Sequence, residues 1–244
     1  MLRTSGCRCS DTSRVDPDTL SAMPAVYPFH AVQFNTGHDL SSVVAPPYDV
    51  LDAAGKQRLL AKDARNIVGI DLPHTPAKEL GPPAAYEQAA AALAGLIEKG
   101  VLKRSPQAVM FAYRQTFQSG GAVPRQVQRS GMACCVDAAP FGPRAGGGIL
   151  PHEETFSGPK EDRLALMRAT RTQLSPIFGL HADERGLARD LLAGVMKSRK
   201  PDHTARTDDG TLHEVWTISD EATIRAYEQG ITGEAVFIAD GHHR

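Results

Sequence analysis

The chain has 244 residues, of which 41% are hydrophobic and 23% charged, a composition typical of a folded globular protein rather than of a disordered or fibrous one. Its 27 Lys and Arg residues nearly balance 28 Asp and Glu residues, which disfavours nucleic acid as a partner because a protein that coats DNA needs a basic excess. No apolar run approaches the ~20 residues of a membrane span, and four Cys are too few for a disulfide framework, so we predict a cytoplasmic protein with no membrane partner.

The first 22 residues are polar, mixed in charge and lack the apolar core of a secretory signal. We predict that residues 1–22 form a disordered N-terminal extension and that folded structure begins at Met23, which leaves open whether the extension is translated. Cys7 and Cys9 supply only half of a metal site, so an exposed, unstructured position is the favoured interpretation.

Residues 23–145 are predicted to form an N-terminal α/β region. Pro46 and Pro47 impose an extended path on the chain before Tyr48 and Asp49, which either line a pocket or, as we favour, belong to a rigid turn. Apolar patterning then predicts a strand over 29–35, a helix over 51–64, a buried strand over 66–72, a helix over 84–99 that begins at Pro82-Pro83 and ends at Gly100, and a hairpin of strands 108–118 and 127–138.

Residues 146–244 are predicted to form a second region, which begins with the glycine run 146–148. Its predicted elements are a helix over 161–172, a strand over 174–180, a helix over 183–197, a strand over 211–219, a helix over 220–229 capped by Ser219, and a strand over 233–239. Because strands and helices mix without a regular βαβ repeat, the predicted fold class is α+β, a mixed sheet with flanking helices.

A first cluster of polar residues follows the glycine run. His152 and Glu153 are adjacent, and a carboxylate beside an imidazole suits general-base catalysis because each group tunes the pKa of the other. The charged stretch 160–163 follows closely. Taken alone, this cluster is better explained as the solvated first turn of a helix, in which Asp162 interacts favourably with the helix dipole.

A second cluster comes directly after the last predicted strand and consists of Asp240, Gly241, His242, His243 and Arg244. Ligand sites usually form at the carboxyl ends of strands in α/β sheets. Glycine permits a tight turn, and His and Arg side chains can donate hydrogen bonds to phosphate oxygens. The structural alternative is a polar loop end with one core-facing His, but here we favour a functional site.

A zinc site built from both clusters is compatible with their composition, although no HExxH motif is present. Its ligands would be His152, Glu153, His242 and His243.

Read in order, several segments resemble those of the family called domain of unknown function 1015, from about Tyr27 to Arg244. The segments are APPYDV, NIVGIDLP, ILPHEET, PKEDRLALMRATRTQLSPIFGL and IADGHHR. The family name implies no activity. Because family members continue beyond this motif, we expect the chain to be a fragment that lacks the helix after DGHHR.

The pair PHE and DGHHR is also similar to motifs of the ParB/sulfiredoxin-like superfamily, notably of free-serine kinases that use ADP as phosphate donor. This resemblance implies ParB/sulfiredoxin-like elements in the fold, Glu153 as the base with His152 beside it, and residues 240–244 as the loop that holds the nucleotide phosphates. It implies a nucleotide, ADP or ATP, as cofactor. Phosphoryl transfer often uses Mg²⁺ as well, so Mg²⁺ is the second expected cofactor, and Asp240 either binds it or orients a His. In those kinases the two motifs are separated by a shorter stretch of chain.

These observations predict a phosphotransferase that acts on a small hydroxyl compound such as serine with a nucleotide donor. Two alternatives stay open: a metal-dependent phosphatase or hydrolase that uses the same His and acidic groups, and a non-catalytic nucleotide-binding module. Neither the substrate nor the oligomeric state follows from the sequence.

Overall fold

The structure is a computed structural model that describes residues 24–35, 37–120, 123–143 and 147–244. The predicted N-terminal extension with Cys7 and Cys9, the start at Met23, and Gly146 of the glycine run lie outside these residues. Within the described ranges the fold is α+β, as predicted, with six α-helices and four small sheets. No helix in those ranges is both long enough and apolar enough to cross a bilayer.

The elements follow one another in a mixed order. The strands are β1 (Val26–Tyr27), β2 (Val32–Phe34), β3 (Leu102–Arg104), β4 (Met110–Gln118), β5 (Gln126–Ala133), β6 (Cys135–Val136), β7 (Ile149–Leu150), β8 (Phe178–Leu180), β9 (His203–Arg206), β10 (Leu212–Ile218) and β11 (Val236–Asp240). The helices are α1 (Ala53–Lys62), α2 (Val68–Asp71), α3 (Pro83–Glu98), α4 (Ser157–Thr170), α5 (Leu187–Ser198) and α6 (Glu221–Gly230), with a short 3-10 helix at Tyr48–Val50.

The largest sheet is antiparallel and has the strand order β5-β4-β10-β9. The predicted hairpin is confirmed as β4 and β5. Trp216 and Met110, on the two central strands, are buried in a core with Leu192 of α5 and Tyr227 of α6. Since β4 and β5 precede residue 145 and β9 and β10 follow it, both predicted regions contribute strands to this sheet, and their division stays a prediction.

A second core lies between helices and the small β2-β3 sheet. It contains Leu93 of α3, Leu166 of α4, Ile70 of α2 and Leu102 of β3. α3 begins and ends within one residue of the predicted bounds, 84–99. Pro83 occupies its first turn, and Gly100, at φ +69°, takes the left-handed conformation that ends the helix.

The strand predicted over residues 66–72 is wrong, because these residues contain the helix α2. Asn66 explains the difference. Its side chain is buried, donates to the backbone oxygens of Ser42 and Val44 at 2.8 Å each, and accepts the backbone N–H of Val68 at 3.0 Å. These contacts with a distant segment fix a helical turn that apolar patterning could not predict.

The cap of α6 also differs from the prediction. Asp220, not Ser219, accepts the backbone N–H groups of Ala222 and Thr223, at 3.1 and 3.2 Å. The helix therefore starts one residue later than predicted, with a carboxylate in place of a hydroxyl as the cap.

Candidate functional site

Two strands place both polar clusters at one edge of a small sheet. β7 pairs in parallel with β11, and Ile149 lies opposite Val236 and Leu150 opposite Phe237. The sheet is completed by β8, which pairs antiparallel with the other side of β11. Because neighbouring parallel strands end at the same edge, the residues that follow β7 and β11 lie side by side.

The acid of the first cluster contacts an imidazole of the second. Glu153 Oε1 lies 3.1 Å from His242 Nδ1. The His242 side chain is 1% exposed and the Glu153 side chain 50% exposed, so the carboxylate rests on a buried ring and is accessible from solvent.

The contact made by His242 Nε2 shows which ring nitrogen carries the hydrogen. Nε2 accepts the backbone N–H of His152 at 3.4 Å, so a neutral ring carries its hydrogen on Nδ1, facing Glu153. The angles at Nδ1 are not those of a hydrogen bond, and this buried nitrogen has no hydrogen-bond partner among the described residues. The contact between the Glu153 carboxylate and the His242 ring is therefore a charge–dipole interaction. A small movement of the exposed carboxylate would let it accept a hydrogen bond from His242 Nδ1.

His152 is oriented by the backbone of β11. Its Nδ1 lies 2.8 Å from the carbonyl oxygen of Ile238, which can only accept, so Nδ1 donates and a neutral ring keeps its lone pair on Nε2. The His152 and His242 rings meet edge to face with centroids 4.5 Å apart. No contact among the described residues uses His152 Nε2, which leaves this atom available to a substrate or a metal ion.

His243 forms a second bridge between the clusters. Its Nε2 accepts the backbone N–H of Phe156 at 3.1 Å, and the two rings stack with centroids 6.1 Å apart. A neutral His243 with Nε2 as acceptor carries its hydrogen on Nδ1. This ring can therefore donate a hydrogen bond at the mouth of the site.

Gly241 makes the tight turn that the sequence predicts. Its φ is +91°, and a Cβ atom there would lie 3.0 Å from Arg244 Nη1 and 3.2 Å from Ile177 Cα. Both the left-handed backbone and the close approach require glycine at this position.

The Arg244 side chain is largely buried, so it is not freely available to donate hydrogen bonds to a bound phosphate. Its Nη1 donates to the backbone oxygen of Pro176 at 2.9 Å and lies 3.3 Å from Asp240 Oδ2. The Arg244 side chain is 7% exposed and that of Asp240 58% exposed. The accessible polar groups of the DGHHR turn are therefore Asp240 and His243.

Beneath the site lies a buried ion-pair network that the sequence did not predict. Asp162 is fully buried and its Oδ2 accepts from Arg163 Nε and Nη2, at 2.9 and 2.7 Å. Its Oδ1 accepts from Tyr86 Oη at 2.7 Å and lies 2.9 Å from His74 Nε2. The expected solvated first turn is wrong for Asp162 and Arg163, because α4 starts at Ser157 and its next turn faces α3.

The network extends from α4 to the DGHHR turn. Arg163 Nη1 donates to the backbone oxygen of Asp71 at 2.8 Å and lies 3.2 Å from its Oδ1, and Ser175 Oγ donates to both Asp71 carboxylate oxygens, at 3.0 and 2.9 Å. Burial raises the pKa of the Asp71 carboxyl, although Ser175, Arg163 and Arg244 oppose this shift. A cavity of about 20 Å³ lies among these four residues, which is room for a water molecule but not for a nucleotide.

Tyr48 connects the two arginines. It is buried, with the Arg163 guanidinium carbon 3.7 Å and the Arg244 guanidinium carbon 5.8 Å from its ring centroid. The structural interpretation of Tyr48 is thus favoured over a pocket-lining role. In the sequence these residues could be recognised only as polar side chains inside otherwise apolar segments, since six separate parts of the chain supply them.

Comparison with known protein families gives one result. A family model described as "Protein of unknown function (DUF1015)" matches residues 26–244. The chain belongs to this family. The resemblance seen in the sequence motifs is confirmed for DUF1015, and the more distant ParB-like resemblance stays a prediction. Searches of curated proteins and of solved structures gave no match.

The candidate site of this DUF1015 chain contains a group of side chains that could hold a metal ion. His152, Glu153 and His242 each offer one donor atom, and these atoms lie within 4.8 Å of one another. Two imidazoles and one carboxylate suit Zn²⁺ or Mn²⁺ better than Mg²⁺, which prefers oxygen ligands. The hydrogen bond from His152 Nδ1 to a backbone carbonyl is typical of a metal-binding His.

Proposed function

We propose that this chain is a phosphotransferase that moves a phosphoryl group from a nucleotide to a small hydroxyl compound such as serine. One observation carries the proposal: the PHE and DGHHR segments are in contact, with Glu153 Oε1 3.1 Å from His242 Nδ1. The similarity of both segments to those of free-serine kinases supports the same assignment.

Glu153 is the general base in this proposal. Its exposed carboxylate takes the proton of the substrate hydroxyl while the hydroxyl oxygen forms a bond to the terminal phosphorus of the nucleotide. The bond from that phosphorus to the bridging oxygen breaks, and the nucleotide leaves one phosphoryl group shorter. His242, held by the backbone N–H of His152, lies against the carboxylate, with its Nδ1 3.1 Å from Glu153 Oε1.

The nucleotide phosphates are proposed to bind at the accessible face of the DGHHR turn. His243 Nδ1 donates to a phosphate oxygen, and Gly241 lets the backbone approach closely. Arg244 contributes through its charge and by holding the turn, since its Nη1 is already bound to Pro176.

Asp240 is the residue that fits Mg²⁺ in this arrangement. Its carboxylate is 58% exposed, and only Oδ2 contacts Arg244. Bound Mg²⁺ would neutralise charge on the phosphates during transfer. His152 Nε2 faces no partner among the described side chains and is available to orient the substrate hydroxyl.

The test combines nucleotide binding and turnover by the purified protein. ADP, ATP and CTP are titrated by calorimetry, and each is then incubated with serine and Mg²⁺ while phosphoserine is measured by mass spectrometry. Glu153→Gln is expected to lower phosphoserine formation by about 100-fold or more, which is the usual contribution of a general base, and to keep nucleotide affinity. Glu154→Gln is the matched control, because it removes a neighbouring exposed carboxylate.

Two results would contradict the proposal. Absence of binding to all three nucleotides excludes a nucleotide-dependent enzyme, and equal turnover by the Glu153 and Glu154 variants excludes Glu153 as the base. Nucleotide binding that is unchanged in Glu153→Gln, with no turnover in the unaltered chain, would assign the non-catalytic nucleotide-binding alternative.

The metal-ligand group favours a second candidate, a metal-dependent phosphatase or hydrolase. It rests on the donor atoms of His152, Glu153 and His242, which lie within 4.8 Å of one another. In this case Glu153 would bind the metal and would not act as the base.

Metal analysis separates the two candidates. After equilibration with Zn²⁺ or Mn²⁺ and desalting, the hydrolase predicts about one bound ion per chain, loss of that ion in His152→Ala, and hydrolysis of p-nitrophenyl phosphate. The phosphotransferase predicts neither a retained ion nor ester hydrolysis without an acceptor.

A further inference from the structure

A groove of about 510 Å³ lies away from the candidate site. One wall is formed by β2 and β3, and the other by Asp202, His203 and Thr217 next to the edge of the four-stranded sheet. Its volume is within the range of small-molecule sites, roughly 300–1,000 Å³. No residue of the PHE or DGHHR segments lines it.

Two cations line this groove without a carboxylate partner. Leu102 of β3 is buried, whereas Lys103 and Arg104, which follow it, are exposed and line the groove. Lys103 lies opposite Gln33 in the strand pairing, so both occupy the strand face that points away from the buried Leu102. Neither cation takes part in an ion pair with any of the described residues.

Two histidines in the groove lining are oriented alike. His38 Nδ1 lies 2.8 Å from the carbonyl oxygen of Asp202, and His203 Nδ1 lies 3.1 Å from the carbonyl oxygen of Gly37. Because a carbonyl oxygen only accepts, both Nδ1 atoms donate, and each neutral ring keeps its lone pair on Nε2. No hydrogen bond within the described part of the chain uses either Nε2, so both rings are fixed in place with one nitrogen available.

The one carboxylate that lines the groove is already bound. Asp202 Oδ1 accepts from Arg199 Nη1 at 2.7 Å, and Oδ2 accepts the backbone N–H of Thr217 at 2.6 Å. Its charge is thus offset by Arg199, and the groove keeps the positive charge of Lys103 and Arg104.

We propose that this groove binds an organic phosphate of about nucleotide size. The two cations, Lys103 and Arg104, match the charge of a phosphate monoester, about −2 at neutral pH, and the arginine fork fits phosphate oxygens. The Nε2 atoms of His38 and His203 accept hydrogen bonds from ligand hydroxyl groups. Amide and hydroxyl groups of Gln33, Gln107 and Ser219 suit the polar body of such a ligand. This site is independent of the phosphotransferase proposal, because none of the PHE or DGHHR residues lines the groove.

AMP is the probe, and adenosine, which lacks the phosphate, is its matched control. Calorimetry at low salt is expected to detect AMP and not adenosine. The double variant Lys103→Gln/Arg104→Gln is expected to bind AMP at least tenfold more weakly. Lys99→Gln/Lys197→Gln removes the same charge from two exposed lysines outside the groove and is expected to bind as the unaltered chain does. Circular dichroism verifies that both variants are folded.

NMR of the histidine rings locates the ligand. Titration with AMP is expected to shift the ring signals of His38 and His203 and to leave those of His152 and His242 unchanged. The proposal is overturned if AMP affinity survives in the Lys103/Arg104 variant but is lost in His243→Ala, because AMP then binds at the DGHHR turn. The proposal is also overturned if AMP does not bind, or if adenosine binds with the same affinity as AMP. It is likewise overturned if a uridine hexanucleotide binds more tightly than AMP.

Discussion

His213 lies in a chain of hydrogen bonds that suits its neutral ring. Tyr113 Oη lies 2.6 Å from His213 Nδ1, and burial raises the pKa of Tyr113 to about 12, so the phenol keeps its hydrogen and donates. On the other side, Nε2 lies 3.2 Å from Thr207 Oγ1, which itself donates to Asp209 Oδ1 at 2.6 Å. Burial lowers the pKa of His213, although Asp209 opposes this shift.

Stability is therefore expected to fall in mild acid through His213. Its folded-state pKa lies below the ordinary value of 6.5, so its contribution is fully present above pH 6.5 and is lost as the pH falls through the folded-state pKa. Urea unfolding between pH 5 and pH 8 is expected to show a smaller decline on acidification in His213→Gln than in the unaltered chain. His30→Gln, at an exposed position, serves as the control and should keep the original decline.

At the scale of the helix, the stability of α4 depends on its buried ion pair between Asp162 and Arg163. Asp162→Asn leaves the buried Arg163 with Asp71 as its remaining carboxylate, and breaking a buried pair such as Arg163–Asp162 costs about 3–5 kcal/mol. Glu161→Gln removes an exposed charge one residue away and is expected to stay within about 0.5 kcal/mol. The free energy of unfolding in urea provides the comparison, and equal values for both variants would contradict the role of the buried pair.

A milder change tests the same network without removing its charge. Tyr86→Phe deletes the hydroxyl that donates to Asp162 Oδ1 at 2.7 Å and to which the backbone N–H of Gly81 donates. The expected loss is about 1–3 kcal/mol, because a buried carboxylate and an amide each lose a partner. Retained stability in this variant would show that water replaces the hydroxyl.

The cap of α6 gives a matched pair of variants. Asp220→Ala removes the acceptor for two backbone N–H groups, and Ser219→Ala removes the hydroxyl that the sequence pattern favours as the cap. Thermal unfolding is expected to show a lower Tm for Asp220→Ala and no change for Ser219→Ala. The reverse order would favour Ser219 as the cap.

Sequence patterns predicted those elements that local signals delimit. α3 has Pro83 at its start and Gly100 beyond its end, so no tertiary contact is needed to place it. Residues 66–72 have no such signals, and the side chain of Asn66, bound to Ser42 and Val44, decides their conformation. Short strands such as β1 and β7 were missed because two residues carry too little pattern.

The candidate site was predictable in part for the same reason. Glu153 and His242 belong to short motifs that mark them directly in the sequence. Asp71, Arg163 and Ser175 come from separate segments and meet only when the helices pack, so their burial is a property of the whole molecule.

For the whole molecule, the shared four-stranded sheet predicts one unfolding transition. Trp216 is the only Trp of the chain, is buried at the centre of the sheet, and donates from Nε1 to the Arg199 carbonyl at 2.9 Å. Its fluorescence and the far-UV circular dichroism, which also monitors α3 and α4, are expected to change at the same urea concentration. Separate midpoints would instead indicate that residues 23–145 and 146–244 unfold independently.

The parallel pairing of β7 with β11 also bears on how such a site can vary among proteins. His152 and His242 are 90 positions apart, yet neighbouring strands, not the length of the intervening polypeptide, set their separation in space. Insertions or deletions between the two strands can then accumulate during evolution without displacing either motif. A difference in motif spacing is accordingly no argument against a common ancestor for two proteins with this arrangement.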